Sequence, residues 1–302
     1  MTEPPVRDEN RKRLFHWIGP ALLLTLALAA WWLWQSDRIS PKAASWHKLS
    51  EGLELGRFNP PKGYAVGAAM RAKLESPLVT AVRVDPARFD LRLLSASEKG
   101  AQRRTVKEWC EQEGLLAAIN ASMYGQDLIK STGYMKNFDH LNNPKINARF
   151  GAFIVFHPLV AGLPPLQILD KHQPEWRGLL DQYSTAIQNY RLITPFQDRT
   201  WEQSDKAHSV AAFGLDRSGR ALLIHCAAPF SIHDFAKVLK QLPLQLRSAA
   251  YLEGGYEASL YLKLGPVEVR ERGIHEGLFW DLGGADDFWP VPNVIGISRK
   301  SQ

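Results

Sequence analysis

Three stretches of this sequence gather side chains able to do chemistry. In the first, Tyr251-Leu252-Glu253-Gly254-Gly255-Tyr256-Glu257, an apolar strand ends at a carboxylate and two glycines. Glycine admits backbone angles closed to other residues, so Gly254 and Gly255 let the chain turn sharply or lie close to a ligand. Glu257 is a second carboxylate, and paired carboxylates are what glycoside hydrolysis usually requires. The same pattern also fits a Gly-Gly hairpin turn with two solvated glutamates. In the second stretch, Ala118-Ile119-Asn120-Ala121-Ser122-Met123-Tyr124, a strand runs into Asn120. Its amide both donates and accepts hydrogen bonds, as sugar hydroxyls require, and an Asx turn is the simpler alternative. In the third, His208 follows Lys206-Ala207 at the start of a strand. It suits acid–base work or, when protonated, a phosphate, although a histidine at a strand start is often only exposed. Arg191, in Gln188-Asn189-Tyr190-Arg191, has the fork geometry to clamp a phosphate, or stands as an exposed cation.

Other mechanisms lack their signatures. The chain has no GxSxG elbow, no HExxH helix and no P-loop. His233-Asp234 lies in a helix cap. Cys110 and Cys226 have no metal-ligand spacing and read as two buried thiols, although an exported chain permits one disulfide. No metal ligand is assigned, and no cofactor; a divalent cation stays open if carboxylates and asparagine converge.

The elements that must position these residues are mostly strands. Leu78–Val84 is β-branched and bounded by Asp85-Pro86, and Phe89–Leu94 alternates. Leu115–Asn120, Phe150–Phe156, Thr185–Tyr190 and Val294–Ile297 read as strands. Val210–Asp216 and Ala221–Cys226 form a hairpin around Arg217-Ser218-Gly219. Ala249–Leu252 and Ser259–Leu262 flank the Gly-Gly turn. Thr105 and Glu108 stand in capping-box spacing, and Ser231 with Asp234 opens a second helix to Leu242. These elements predict an α+β fold, one domain around a mixed β-sheet with covering helices.

The 302 residues carry 45% hydrophobic and 23% charged side chains, which excludes a disordered chain, a coiled coil or a fibre. The net charge of +6 is not gathered into a Lys/Arg stripe, so no nucleic-acid partner is expected. Mean hydropathy is -0.24, and only Trp17–Trp34, 18 residues without charge, is apolar enough to span a membrane. Arg11, Lys12 and Arg13 precede it, which keeps the N-terminus inside and exports the rest. Ala27-Leu28-Ala29 also fits a signal-peptidase site, but the run continues to Trp34, which favours an uncleaved anchor. The expected organisation is a cytoplasmic tail (1–16), a transmembrane signal anchor (17–34), a linker (35–64) and a folded domain (65–302). That domain would stand in the periplasm or outside, held at the cytoplasmic membrane by a single pass.

Read in order, several segments resemble the phosphodiester glycosidase family. They are VRVDP at 82–86, AINASMY at 118–124, RFGAFIVF at 149–156 and AIQNYRLI at 186–193. HSVAAFGLDRSGRALLI at 208–224, YLEGGYEASLYL at 251–262 and VPNVIGI at 291–297 complete the series. The resemblance covers about residues 75–298. The family's usual Asp-Gly-Gly is Glu253-Gly254-Gly255 here, and its frequent Arg-Thr is His208-Ser209.

The resemblance implies hydrolysis of a sugar 1-phosphodiester in an envelope glycan or glycolipid. Glu253 is then the catalytic carboxylate, with His208 and Glu257 beside it. Asn120 and Tyr124 orient the sugar, and His208 and Arg191 hold the phosphate. A carbohydrate or sugar phosphate is the implied partner. The alternative is a glycan-binding or envelope-assembly protein on the same fold that does not cleave.

Overall fold

The computed structural model describes residues 45–61, 64, 79–196, 201–273 and 288–300. The expected tail and the 17–34 anchor lie outside the described residues. Among the described residues no helix is long and apolar enough to cross a membrane.

Two sheets form the body. The first runs in the order β1 (Ser45–Ser50), β2 (Leu53–Phe58), β3 (Val79–Val84), β12 (Ala221–Phe230), β11 (His208–Asp216), β13 (Leu246–Gly254), β10 (Tyr183–Ile193), β6 (Met135–Asn137), β7 (His140–Asn143). From β10 it branches through β8 (Ala152–Pro158) to β9 (Leu166–Asp170). The second has five strands, in the order β15 (Val267–Arg272), β14 (Ser259–Leu264), β5 (Ala117–Asn120), β16 (Asn293–Arg299), β4 (Phe89–Ser95).

The expectation of one mixed sheet is corrected. Among the described residues there are two sheets, and every strand pairing is antiparallel. A near-continuous apolar run such as Ala221–Cys226 marks a strand buried on both faces. Here the same burial comes from a sheet packed against a second sheet on one side and a helix on the other.

Side-chain alternation shows how. On β12, Ala221 and Leu223 face the core between the sheets, joined by Phe213, Leu252, Ile119, Leu260 and Ile295. Leu222, Ile224 and Cys226 face the other way, onto the helix α3 (Ile232–Gln241) through Phe235, Val238 and Leu239. Helix α1 (Val106–Glu113) covers the outer face of the five-stranded sheet, with Trp109 against Ala118, Tyr261 and Val294. The short α2 (Trp176–Leu180) closes a fourth cluster with Phe153 and Tyr183. Both predicted caps are present: Thr105 and Glu108 form the reciprocal box, and the Ser231 hydroxyl accepts from the Asp234 N–H.

The linker expected over 35–64 is also corrected. Residues 45–58 form the β1–β2 hairpin, and β2 pairs with β3 along its length. Gly52, Gly56 and the prolines read as a flexible connection. The alternation Leu53, Leu55, in which both leucines are buried, is what seats the strand. Residues 42–302 accordingly form one unit.

Cys110 and Cys226 are buried and free. They lie in separate clusters, on opposite outer faces of the two sheets. Burial pushes the Cys226 thiol up to about 12 and raises Cys110 as well, so both stay protonated.

Candidate active site

One end of the sandwich gathers the chemistry. β11 starts there at His208, β13 ends there at Glu253 and Gly254, and β14 starts there at Ser259. β5 ends at Asn120 and β16 begins at Asn293, paired beside it. The Gly-Gly segment is not a hairpin turn, because β13 pairs with β10 and β11 whereas β14 pairs with β5 and β15. It is the corner where the chain crosses from one sheet to the other.

Glycine is needed twice at this corner. Gly255 has φ +67°, a conformation that costs a side-chain-bearing residue energy. A Cβ on Gly254 would lie 2.1 Å from His208 Cδ2 and 2.6 Å from the Tyr251 hydroxyl. Just before Glu253, Ala211 and Ala212 oppose Glu253 and Tyr251, leaving Leu252 as the extra residue of a bulge. Bulges re-aim the side chains that follow them.

Glu253 is partly buried, and its Oε1 accepts the Gly254 N–H at 2.9 Å. Burial raises its pKa to about 8; the Gly254 N–H opposes this and the neighbouring Glu257 adds to it. Below that pH the group holds a proton. Glu257 closes the single 3-10 turn Gly255–Glu257, and its Oε1 accepts from the Tyr124 hydroxyl at 3.4 Å. Burial, then Glu257, raises the Tyr124 pKa. Tyr251 is likewise held protonated by burial and by both glutamates, and its hydroxyl lies 3.1 Å from His208 Nε2. His208, Tyr251, Glu253, Glu257 and Tyr124 thus form one polar group around two coupled carboxyls.

The corner is held from beneath. The Ser259 N–H donates to Asn120 Oδ1 at 3.2 Å, and the Ser259 hydroxyl donates to the Glu257 carbonyl at 3.1 Å. His225 Nε2, wholly buried on β12, is 3.0 Å from the Ala258 carbonyl. Burial lowers the His225 pKa, so the ring is neutral with its proton on Nε2.

Two expected roles change. Asn120 is 1% exposed with its Oδ1 occupied by Ser259, so that oxygen positions the corner, while its buried Nδ2 has no hydrogen-bond partner among the described residues. Arg191 donates its Nε to Asp170 Oδ2 at 2.6 Å and its Nη2 to Oδ1 of the same carboxylate. Its neighbour Tyr190 packs with Trp201, which packs on Tyr251, so Arg191 points to the opposite side of β10. The phosphate clamp assigned to it is spent on Asp170.

Two residues around Tyr124 were not singled out in the sequence. The Trp289 indole donates to the Tyr124 hydroxyl at 3.2 Å and stacks on Tyr256 at 5.9 Å and 25°. It is 40% exposed, so the aromatic face is open to solvent. Arg103 acts on the Tyr124 hydroxyl through its charge and reaches the Pro290 carbonyl at 3.4 Å. The sequence signal for Trp289 is Phe288-Trp289-Pro290, an aromatic pair followed by a proline. Among the described residues, no three His, Cys, Asp or Glu side chains gather as a metal site.

The family model for phosphodiester glycosidases matches residues 113–298, which include the corner, Asn120, Tyr124 and His208. The chain belongs to the phosphodiester glycosidase family. Its function is accordingly of the glycosidase type, with a carbohydrate substrate. Among solved structures, it is similar to the zebrafish N-acetylglucosamine-1-phosphodiester alpha-N-acetylglucosaminidase catalytic domain auto-inhibited by its pro-peptide. That match has a TM-score of 0.57 at 15% identity, covering 86% of this chain and 87% of the other. A hypothetical protein from Synechocystis matches with a TM-score of 0.54 at 14% identity, over 86% of this chain and 64% of that one. At such identities the likeness is one of fold. No curated protein matches the sequence.

Proposed function

We propose that this phosphodiester glycosidase hydrolyses a sugar 1-phosphodiester of an envelope glycan or glycolipid. It would work outside the cytoplasmic membrane, held there by the 17–34 segment. The observation that carries the reading is the coupled carboxyl pair, Glu253 with its pKa raised to about 8 and Glu257 beside it.

Two carboxyls in different environments take different roles. Glu253, protonated at neutral pH, presents no charge to repel the anionic phosphodiester. It gives its proton to the phosphate oxygen as the bond from C1 to that oxygen breaks. Glu257 faces the positive charge that develops at C1 and the ring oxygen, and water then adds to C1 and gives its proton to the carboxylate that Glu253 has become. Tyr124 holds Glu257 in place. Trp289, open on one face and backed by Tyr256, supports an apolar face of the sugar ring. Arg103 replaces Arg191 as the cation for the phosphate, since Arg191 is already paired. Asn120 and His225 keep the corner in place.

The test uses the full chain and its Glu253→Gln variant on a panel of sugar 1-phosphodiesters, with released sugar read by mass spectrometry. Loss of a general acid lowers kcat by about 100-fold or more while leaving substrate binding. Binding without release by the parent would mark a glycan-binding protein. Equal release by both chains would remove Glu253 from the reaction.

A further inference from the structure

A polar cavity lies away from the carboxyl pair. It lies where the β8–β9 ribbon arches over β10 and approaches β13. Its volume is about 180 Å³, and Arg247, Gln167, Gln173, Phe196 and Ser248 are among its lining residues, together with the Asp170–Arg191 pair. Arg247 and Ser248 precede Glu253 by six and five residues on β13. At about 3.3 Å per residue that places the cavity on the order of 16 Å along the strand from the corner.

We infer that this cavity binds a single anionic sugar ring, one bearing a carboxylate or a phosphate. Three observations support it. The first is charge. Asp170 is consumed by Arg191, whose Nε and Nη2 both donate to it, and by the Thr194 hydroxyl at 2.7 Å. Arg247 is exposed and makes no hydrogen bond or ion pair among the described residues. The lining therefore carries one uncompensated positive charge, with a guanidinium fork suited to two oxygens.

The second is hydrogen-bonding capacity. Gln173 uses its Oε1 on the Asp170 N–H, which leaves its Nε2 to donate. Gln167 uses its Nε2 on the Tyr183 hydroxyl, which leaves its Oε1 to accept. One amide donor and one amide acceptor across a small cavity match the donor–acceptor character of hydroxyl groups. The third is size and surface. At about 180 Å³ the cavity lies below the ~300–1,000 Å³ of drug-sized ligand pockets, which suits one ring and its substituents. Phe196, 52% exposed, and the prolines Pro164 and Pro195 give the ring an apolar wall.

The inference is independent of the proposed reaction, because none of these residues belongs to the carboxyl corner. The test titrates the full chain with glucuronic acid, glucose 1-phosphate and glucose, following each ligand by saturation-transfer NMR. Both anions should bind, with glucose at least tenfold weaker. Arg247→Gln should weaken both anions by about tenfold or more, as loss of a charge-assisted hydrogen bond does. Phe196→Ala should weaken all three. Circular dichroism on each variant checks that the fold is kept. Preference for glucose 1-phosphate alone would fix the phosphate as the anion read, and equal binding of both acids would fix charge. Two results would overturn the inference: no preference for the anions over glucose, or binding untouched by Arg247→Gln.

Discussion

A raised pKa at Glu253 makes a prediction about stability that needs no substrate. The carboxyl titrates near 4.5 in the unfolded chain and near 8 in the folded one. Between those values the folded protein holds a proton that the unfolded chain has released. Its contribution is therefore full below about pH 4.5 and is lost as pH rises toward 8. The whole interval, at about 1.4 kcal/mol per pH unit, is roughly 5 kcal/mol. Glu253 is partly exposed, and solvent around the carboxylate reduces this to about 2 kcal/mol. Glu253→Gln replaces the carboxyl by a neutral group of the same shape that does not titrate. Urea unfolding of parent and variant at pH 4, 6 and 8 reads the difference directly. The variant should match the parent at pH 4 and exceed it by about 2 kcal/mol at pH 8. A gap that stays constant across this range would refute the raised pKa. A parent that gains on the variant as pH rises would mean that a cation stabilises the carboxylate.

Further consequences follow from the corner and its surroundings. Gly254→Ala, whose methyl would meet His208 and the Tyr251 hydroxyl, should abolish sugar release while costing about 1–3 kcal/mol of stability, measured by activity and urea unfolding together. Trp289→Ala should raise KM for sugar phosphodiesters by about tenfold with little change in kcat, as loss of an aromatic contact does. Arg191→Gln should leave Asp170 buried without its partner and lower stability by about 3 kcal/mol or more, with KM unchanged in the folded fraction. Arg103→Gln should instead raise KM for the phosphodiester and leave binding of the free sugar as it was.

How much of this was legible in the sequence depends on the range of each interaction. The Thr105 and Ser231 caps, the β11–β12 hairpin and the strand ending at Glu253 are local, and their residues are adjacent in sequence. The division into two sheets is not local. Nothing in Ala249–Leu252 or Ser259–Leu262 states that the first strand pairs with 183–193 and the second with 117–120. Composition misread residues 45–58, where glycines masked an alternating strand. Arg191 looked like an open cation because Asp170 is 21 residues away. Trp289 and Arg103 went unnoticed because Trp289 meets the site through Tyr124 and Tyr256, more than thirty residues away in sequence, and Arg103 through Tyr124. Asn120 was found by its place at the strand end, but its burial beneath Ser259 is a property of the packed sandwich.

The measurement that tests the central claim most directly is hydrolysis of a sugar 1-phosphodiester in water enriched in oxygen-18. If Glu253 protonates the phosphate oxygen and water adds to C1, the label appears in the released sugar and the phosphate monoester carries none. Label in the phosphate, with an unlabelled sugar, would mean that the phosphorus–oxygen bond is cut and would contradict the glycosidase mechanism built here on Glu253 and Glu257.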